Sequence, residues 1–132
     1  MNKVKIIDTD IIIDYLRGIE EAKECLVRIP RNERYLTSIT FMELLWGARS
    51  KKEIVEIKEF IYLNFKEILH INEMSSRKAV ELIERYVKSH GLKIADALIA
   101  AVAITKTAVV CTGNIHDFSY IEELEAEGVP YK

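Results

Sequence analysis

Short apolar runs alternate along this chain with longer segments in which apolar residues recur every three or four positions. The short runs are rich in β-branched residues and predict strands at Val4–Ile7, Tyr35–Ser38, Ile68–Ile71 and Ala108–Thr112. The longer segments predict helices, among them Ile54–Phe65, Ala79–Val87, which Gly91 would end, and the alanine-rich Ile94–Thr105. Ser119 and Glu122 form a capping-box pattern, which predicts a last helix that Gly128 would close.

Strands that alternate with helices predict right-handed crossovers and a mainly parallel sheet covered on both faces. We therefore expect a three-layer α/β/α fold with four or five strands. The length of 132 residues suits a single domain, residues 1–132. In such sheets, ligands bind at the carboxyl ends of the strands.

Composition narrows the possible classes of function. The chain is 49% hydrophobic and 30% charged, and its net charge of −2 argues against coating nucleic acid by bulk electrostatics. The apolar run Ala97–Ile104 is too short to span a bilayer, and Asp8 interrupts the first apolar stretch. We expect a cytoplasmic protein without membrane contact. Cys25 and Cys111 do not form a disulfide framework.

The aspartates are distributed differently from the glutamates. Only five of the 21 acidic residues are Asp, and this residue disfavours helix interiors, so it marks caps, turns or ligand sites. Asp8 and Asp117 both follow predicted strands. Either Asp8 or Asp10 could instead cap the helix expected from Ile11, and Asp117 could simply begin the Ser119 helix.

Two further acids stand in apolar surroundings. Asp96 is the single charge in Ile94–Ala103, where a buried carboxylate needs a cation or hydrogen bonds; the alternative is an exposed Asp paired with Lys93. Glu43 begins an apolar helix after the second strand. Its alternative is a capping box in which Glu43 reaches back to the amide of Thr40.

Four blocks of sequence resemble the PIN-domain nucleases, specifically the VapC-type toxins of toxin–antitoxin pairs. They are Ile6–Asp14, Ser38–Ala48, Gly91–Ala101 and Val110–Phe118, and together they cover nearly the whole chain in order. The resemblance implies a catalytic, metal-binding quartet of Asp8, Glu43, Asp96 and Asp117.

Other features are implied by the same resemblance. Thr112 and Asn114 match positions that support the fourth corner of the quartet, and a metal role for Asp10 stays open. Gly113 stands where relatives often carry a bulky residue. The implied activity is Mg²⁺- or Mn²⁺-dependent hydrolysis of RNA, with transfer RNA as the commonest substrate in the family. The implied partners are a VapB-like antitoxin and a second copy of the chain.

An acidic pocket repels RNA, so cations are expected nearby. Two clusters are candidates, Arg28, Arg31 and Arg34 before the second strand, and Arg49, Lys51 and Lys52 after the Glu43 helix. Ordinary surface charge is the alternative for both.

Three rival functions remain open from the sequence. A haloacid-dehalogenase-like phosphatase would use the Asp8-Thr9-Asp10 motif, but few residues follow Thr112 to supply its later motifs. A receiver-like Mg²⁺-binding module would need an Asp after a central strand, and the second and third strands lack one. A PIN nuclease of RNA maturation, without an antitoxin, is not separated from a toxin by sequence.

Overall fold

The computed structural model describes residues 3–132. Its centre is a sheet of five strands in the order β3-β2-β1-β4-β5, and every neighbouring pair is parallel. The strands are β1 (Lys5–Ile7), β2 (Arg34–Thr37), β3 (Glu67–Leu69), β4 (Val109–Thr112) and β5 (Glu125–Gly128). The four strands predicted from the sequence are confirmed to within two residues at each end.

Six helices accompany the strands in the described part of the chain. They are α1 (Thr9–Leu16), α2 (Glu20–Arg28), α3 (Ser38–Trp46), α4 (Lys51–Asn64), α5 (Glu73–His90) and α6 (Ile94–Thr105). Helix α5 begins with a capping box between Asn72 and Ser75, and it ends at Gly91, as expected. Gly91 has a φ of +67°, a left-handed conformation that a side chain would strain.

Successive residues of each strand face opposite sides of the sheet, which creates two cores. Ile6 and Val110 pack with α5 and α6, including the buried alanines of α6. Ile7 and Cys111 pack with buried side chains of α1 to α4 on the other face. The expected three-layer α/β/α architecture is therefore confirmed, and Cys111 is a buried core residue.

The predicted last helix is wrong. After β4 the chain makes a 3₁₀ turn, Ile115–Asp117, then irregular turns, and finally the edge strand β5. Phe118 and Ile121 are each 1% exposed and anchor these turns in the α5–α6 core. Once they are anchored, residues 125–128 reach the free edge of β4, and pairing with that edge outweighs the local capping pattern.

Among residues 3–132, no helix is long and apolar enough to cross a membrane. The cytoplasmic location and the single-domain organisation of residues 1–132 stay predictions.

Leu82 and Leu63 provide a test of the core. Leu82 of α5 is fully buried in the core that α5 forms with α6, whereas Leu63 is 65% exposed. Replacing Leu82 with Ala should lower the free energy of unfolding by about 3 kcal/mol, because it removes packed methyl groups and leaves a cavity. The matched Leu63→Ala change should cost less than about 0.5 kcal/mol in urea unfolding. Equal effects of the two changes would contradict this arrangement of the core.

Candidate active site

The order of the strands defines where a ligand can bind. From β1 the chain moves to β2 on one side, and from β3 it returns to β4 on the other side of β1. The crevice at such a reversal, outside the carboxyl ends of the strands, is the usual ligand site of parallel sheets. Asp8 directly follows β1 and Gly113 directly follows β4, so both segments lie at this crevice.

Asp8 is the most buried acid of this crevice, with 7% of its surface exposed. One carboxylate oxygen accepts from the N–H of Thr9 at 2.8 Å, and the other accepts from the Thr112 hydroxyl at 2.7 Å. Asp8 is also the N-cap of α1, so its capping role coexists with its place in the crevice. Burial raises the pKa of Asp8 to about 7 against the opposing hydrogen bond from Thr112, and the charges of Asp10 and Asp96 raise it further.

Asp96 lies in the first turn of α6 and is half-buried. Burial, followed by the charge of Asp117, raises its pKa to about 6, although Lys93 acts in the opposite direction. The charges of Glu43 and Asp10 also raise this pKa. The carboxylates of Asp117, Glu43 and Asp10 are therefore close enough to Asp96 to oppose its ionisation.

The alternative role of Glu43, a capping box with Thr40, does not form. Helix α3 begins at Ser38, and its N-cap is Thr37, whose hydroxyl accepts from the N–H of Thr40. Glu43 consequently lies one turn further along the helix, where its carboxylate accepts from the Thr9 hydroxyl at 2.7 Å. The side chain is exposed and free of a helix-capping role. Thr9, which sequence reasoning passed over, links α1 to Glu43.

The fourth corner is built from the loop after β4. The Thr112 hydroxyl accepts from the N–H of Asn114 at 2.9 Å while it donates to Asp8. The Asn114 side-chain amide donates to Asp10 at 3.3 Å. Asp117 is exposed in the 3₁₀ turn, and its charge acts on Asp96. Thr112 and Asn114 thus position the neighbouring acids, and Asp117 is free to reach a ligand from solvent.

The donor chemistry of this crevice fits a hard divalent cation. Its side chains offer carboxylate and hydroxyl oxygens, and one oxygen of Asp10 is buried without a partner among residues 3–132. Within that described range, no three Asp, Glu, His or Cys side chains approach closely enough to hold an ion by themselves. Mg²⁺ is usually bound through one or two carboxylates and keeps several waters, so a closed protein cage is unnecessary.

A family model of the PIN domain matches residues 5–123. The chain belongs to the PIN-domain family. Among curated relatives of this PIN domain, ribonuclease VapC19 of Mycobacterium tuberculosis is 32% identical over 127 residues, which is 92% of this chain and 98% of the relative. Ribonuclease VapC10 of the same organism is 27% identical over 121 residues, 91% of this chain and 90% of that protein.

Solved structures show the same similarity to proteins of toxin–antitoxin pairs. A toxin–antitoxin complex from Klebsiella pneumoniae contains a chain with a TM-score of 0.76 and 29% identity, covering 92% of this PIN domain and 95% of that chain. VapBC2 of Rickettsia felis, solved with a promoter DNA fragment, has a TM-score of 0.79 at 23% identity, covering 95% and 98%, and supports the fold alone. The resemblance to VapC-type members is confirmed.

The two basic clusters are placed differently in this PIN domain. Arg31 donates to the carbonyls of Tyr62 and Leu63, and Arg34, at the start of β2, donates to the carbonyls of Ile29 and Asn64. These two arginines stabilise the fold at the amino end of the strand, away from the crevice. The structure does not bring Arg28, at the end of α2, to the acids either; it lines a small pocket with Lys5 of β1.

The second basic cluster, Arg49, Lys51 and Lys52, lies on the same side of the molecule as Glu43. Arg49 and Glu43 line the same cleft of about 560 Å³ between α1, α3 and α4, and Lys51 and Lys52 are exposed at the start of α4. Arg17, which the sequence did not single out, lines this cleft as well. Its position after α1 carried no pattern that would have distinguished it from surface charge.

Asp8 gives a testable dependence of stability on pH. Its folded pKa of about 7 lies above the ordinary value, so the folded state binds more protons between pH 4 and 7 and loses stability as pH rises through that range. Asp8→Asn should therefore stabilise the chelator-treated protein at pH 8 by a few kcal/mol, on the order expected for a shift this large.

That gain should shrink toward pH 4 in urea unfolding experiments. Glu84→Gln, a change at an exposed acid of α5, is the control and should show no such trend. The measured quantity is the difference in unfolding free energy between Asp8→Asn and the wild type. If this difference is no larger at pH 8 than at pH 4, the ionised Asp8 carboxylate is not destabilised by burial.

Proposed function

We propose that this PIN domain is a metal-dependent endoribonuclease and the toxin of a VapBC-type toxin–antitoxin pair. The observation that carries the proposal is the buried Asp8 carboxylate at the switch point of the sheet, next to Asp96. The names of its relatives support the activity, because VapC19 and VapC10 are both called ribonucleases. The fold and the spacing of the acids are consistent with that chemistry.

A bound Mg²⁺ or Mn²⁺ would polarise the scissile phosphate and lower the pKa of a coordinated water. Asp8 and Asp96 are the principal ligands in this proposal, because burial makes both carboxylates costly without a cation. Thr112 and the N–H of Thr9 fix the orientation of Asp8.

Glu43 and Asp117 complete the ligand set or orient water for in-line attack on the phosphodiester. Both are exposed, so they are accessible to a substrate that approaches from solvent. The Thr9 hydroxyl holds Glu43 toward α1, and Asn114 holds the loop that carries Asp117. Removing the Thr9 hydroxyl would loosen Glu43, and removing the Thr112 hydroxyl would loosen Asp8, in both cases without changing the charge of the site.

The proposed partners are RNA, with transfer RNA as the candidate substrate, a VapB-like antitoxin and a second copy of the chain. Several solved relatives are toxin–antitoxin complexes, which supports the antitoxin. Helices α3 and α4 present exposed apolar side chains, including Trp46 at 90% and Tyr62 at 79%, of the kind that protein partners cover. An adjacent short gene for a DNA-binding protein would separate a toxin from a nuclease of RNA maturation.

The metal-dependent mechanism can be tested by RNA cleavage. Asp8→Asn and Asp96→Asn should each lower the rate by about a hundredfold or more, because several kcal/mol of transition-state stabilisation depend on the ion. EDTA should abolish wild-type cleavage, and Mn²⁺ should restore it. The exposed Glu84→Gln variant should cleave normally. Full activity of either Asn variant, or indifference to EDTA, would remove this mechanism.

The basic side of the cleft can be tested by the salt dependence of RNA binding. Replacing Arg49 and Lys52 with Gln should weaken binding and flatten the slope against salt by about one to two, since each phosphate contact releases close to one counterion. Arg77→Gln with Lys88→Gln on α5 removes the same charge elsewhere and is the control. If both double variants change the slope equally, the Arg49 cluster does not contact phosphate.

A further inference from the structure

The residues after β5 fold back over the carboxyl end of β4. The N–H of Val129 donates to the carbonyl of Thr112 at 3.1 Å, and the chain then turns through Pro130. The Tyr131 hydroxyl donates to the Asp14 carboxylate at 2.9 Å. This contact brings the side chain of Lys132 to the surface of α1, beside the acidic crevice.

Lys132 bridges two acids of α1 that lie one helical turn apart. Its ammonium nitrogen is 3.0 Å from Asp14 Oδ2 and 3.5 Å from Asp10 Oδ2. The side chains of Asp14 and Asp10 are only 14% and 19% exposed, and that of Lys132 is 32% exposed. The hydrogen bond to Asp14 raises the pKa of Lys132, so the ammonium form is retained. The ion pair is therefore better shielded than an ordinary surface pair.

Gly113 provides the space for this arrangement. A Cβ atom at this position would collide with the Asp10 carboxylate and with the Lys132 side chain. A larger side chain at this position would displace both groups from where they lie. The glycine therefore permits the alkyl chain of Lys132 to pass between the β4 loop and α1.

Asp10 connects this pair to the proposed metal ligands. Its charge is among those that raise the pKa of both Asp8 and Asp96, so it contributes to the negative potential at the crevice. Its Oδ2 atom is held by Asn114 and Lys132. Without Lys132, the Asp10 carboxylate would add an uncompensated negative charge next to Asp8.

We propose that Lys132 is an internal counter-cation that offsets the charge of Asp10 and thereby lowers the affinity of the site for divalent ions. Tyr131 and Asp14 hold Lys132 in place, and Gly113 makes room for it. Lys132 is a positioning residue, since it acts through Asp10, and Tyr131 acts through Asp14 and Lys132. This inference rests on the proposed function, because it assumes that the crevice binds a divalent ion.

Titration of the metal-free protein with Mn²⁺ alone, followed by calorimetry, tests this role. Lys132→Met should bind Mn²⁺ about tenfold more tightly than the wild type, because one nearby positive charge is removed and the charge of Asp10 is no longer offset. Lys132→Arg should keep the wild-type affinity. Adding Asp10→Asn to Lys132→Met should cancel the gain. A merely structural role for Lys132 would not produce this pattern.

Lys88→Met, at an exposed lysine of α5, controls for the change in net charge. Equal or weaker Mn²⁺ binding by Lys132→Met, or the same gain in Lys88→Met, would overturn the proposal. Binding by Lys132→Met without binding by the wild type would support it. If neither protein binds Mn²⁺, the counter-cation role is wrong, and RNA cleavage in EDTA then decides separately whether the proposed nuclease acts without metal.

Discussion

The burial of the Asp8 carboxylate at the end of β1 is the constraint on which the site depends. A carboxylate with 7% exposure is costly unless donors or a cation satisfy it. The Thr9 N–H and the Thr112 hydroxyl satisfy one acceptor position on each oxygen, which leaves further lone pairs for a ligand. These donors come from the start of α1 and the end of β4, so Asp8 also ties together the two segments that form the crevice.

The remaining acids follow from how the sheet is connected. Helix α6, whose alanines pack closely on the sheet, carries Asp96 to the crevice. Helix α3, which follows β2, carries Glu43. Each therefore comes from a different crossover, and rigid elements rather than long loops carry them. The loop after β4 and the residues after β5 complete the surroundings. Tyr131 and Lys132 make the charge of the crevice depend on a segment that is distant along the chain from Asp10.

The sequence was most informative where local and tertiary preferences agree. The bounds of α6 were predicted correctly, and β1 and β4 nearly so, because their apolar runs are buried whatever surrounds them. The sequence left two roles open for Glu43 because two threonines could cap α3, and the structure shows that Thr37 caps it one turn earlier than Thr40. The last helix failed because the edge of β4 pairs with residues 125–128. No local pattern could show that Lys132 reaches Asp10, since 122 residues separate them.

The number of protons released on metal binding tests most directly whether a buried and partly protonated Asp8 binds the ion together with Asp96. Calorimetric titration with Mn²⁺ at pH 6.5, repeated in buffers of different ionisation enthalpy, counts the protons released. With pKa values of about 7 and about 6, the two acids together hold about one proton at that pH. We expect release of about one proton at pH 6.5, falling toward none near pH 8.5. Binding without proton release at pH 6.5, or the same release in Asp8→Asn, would contradict it.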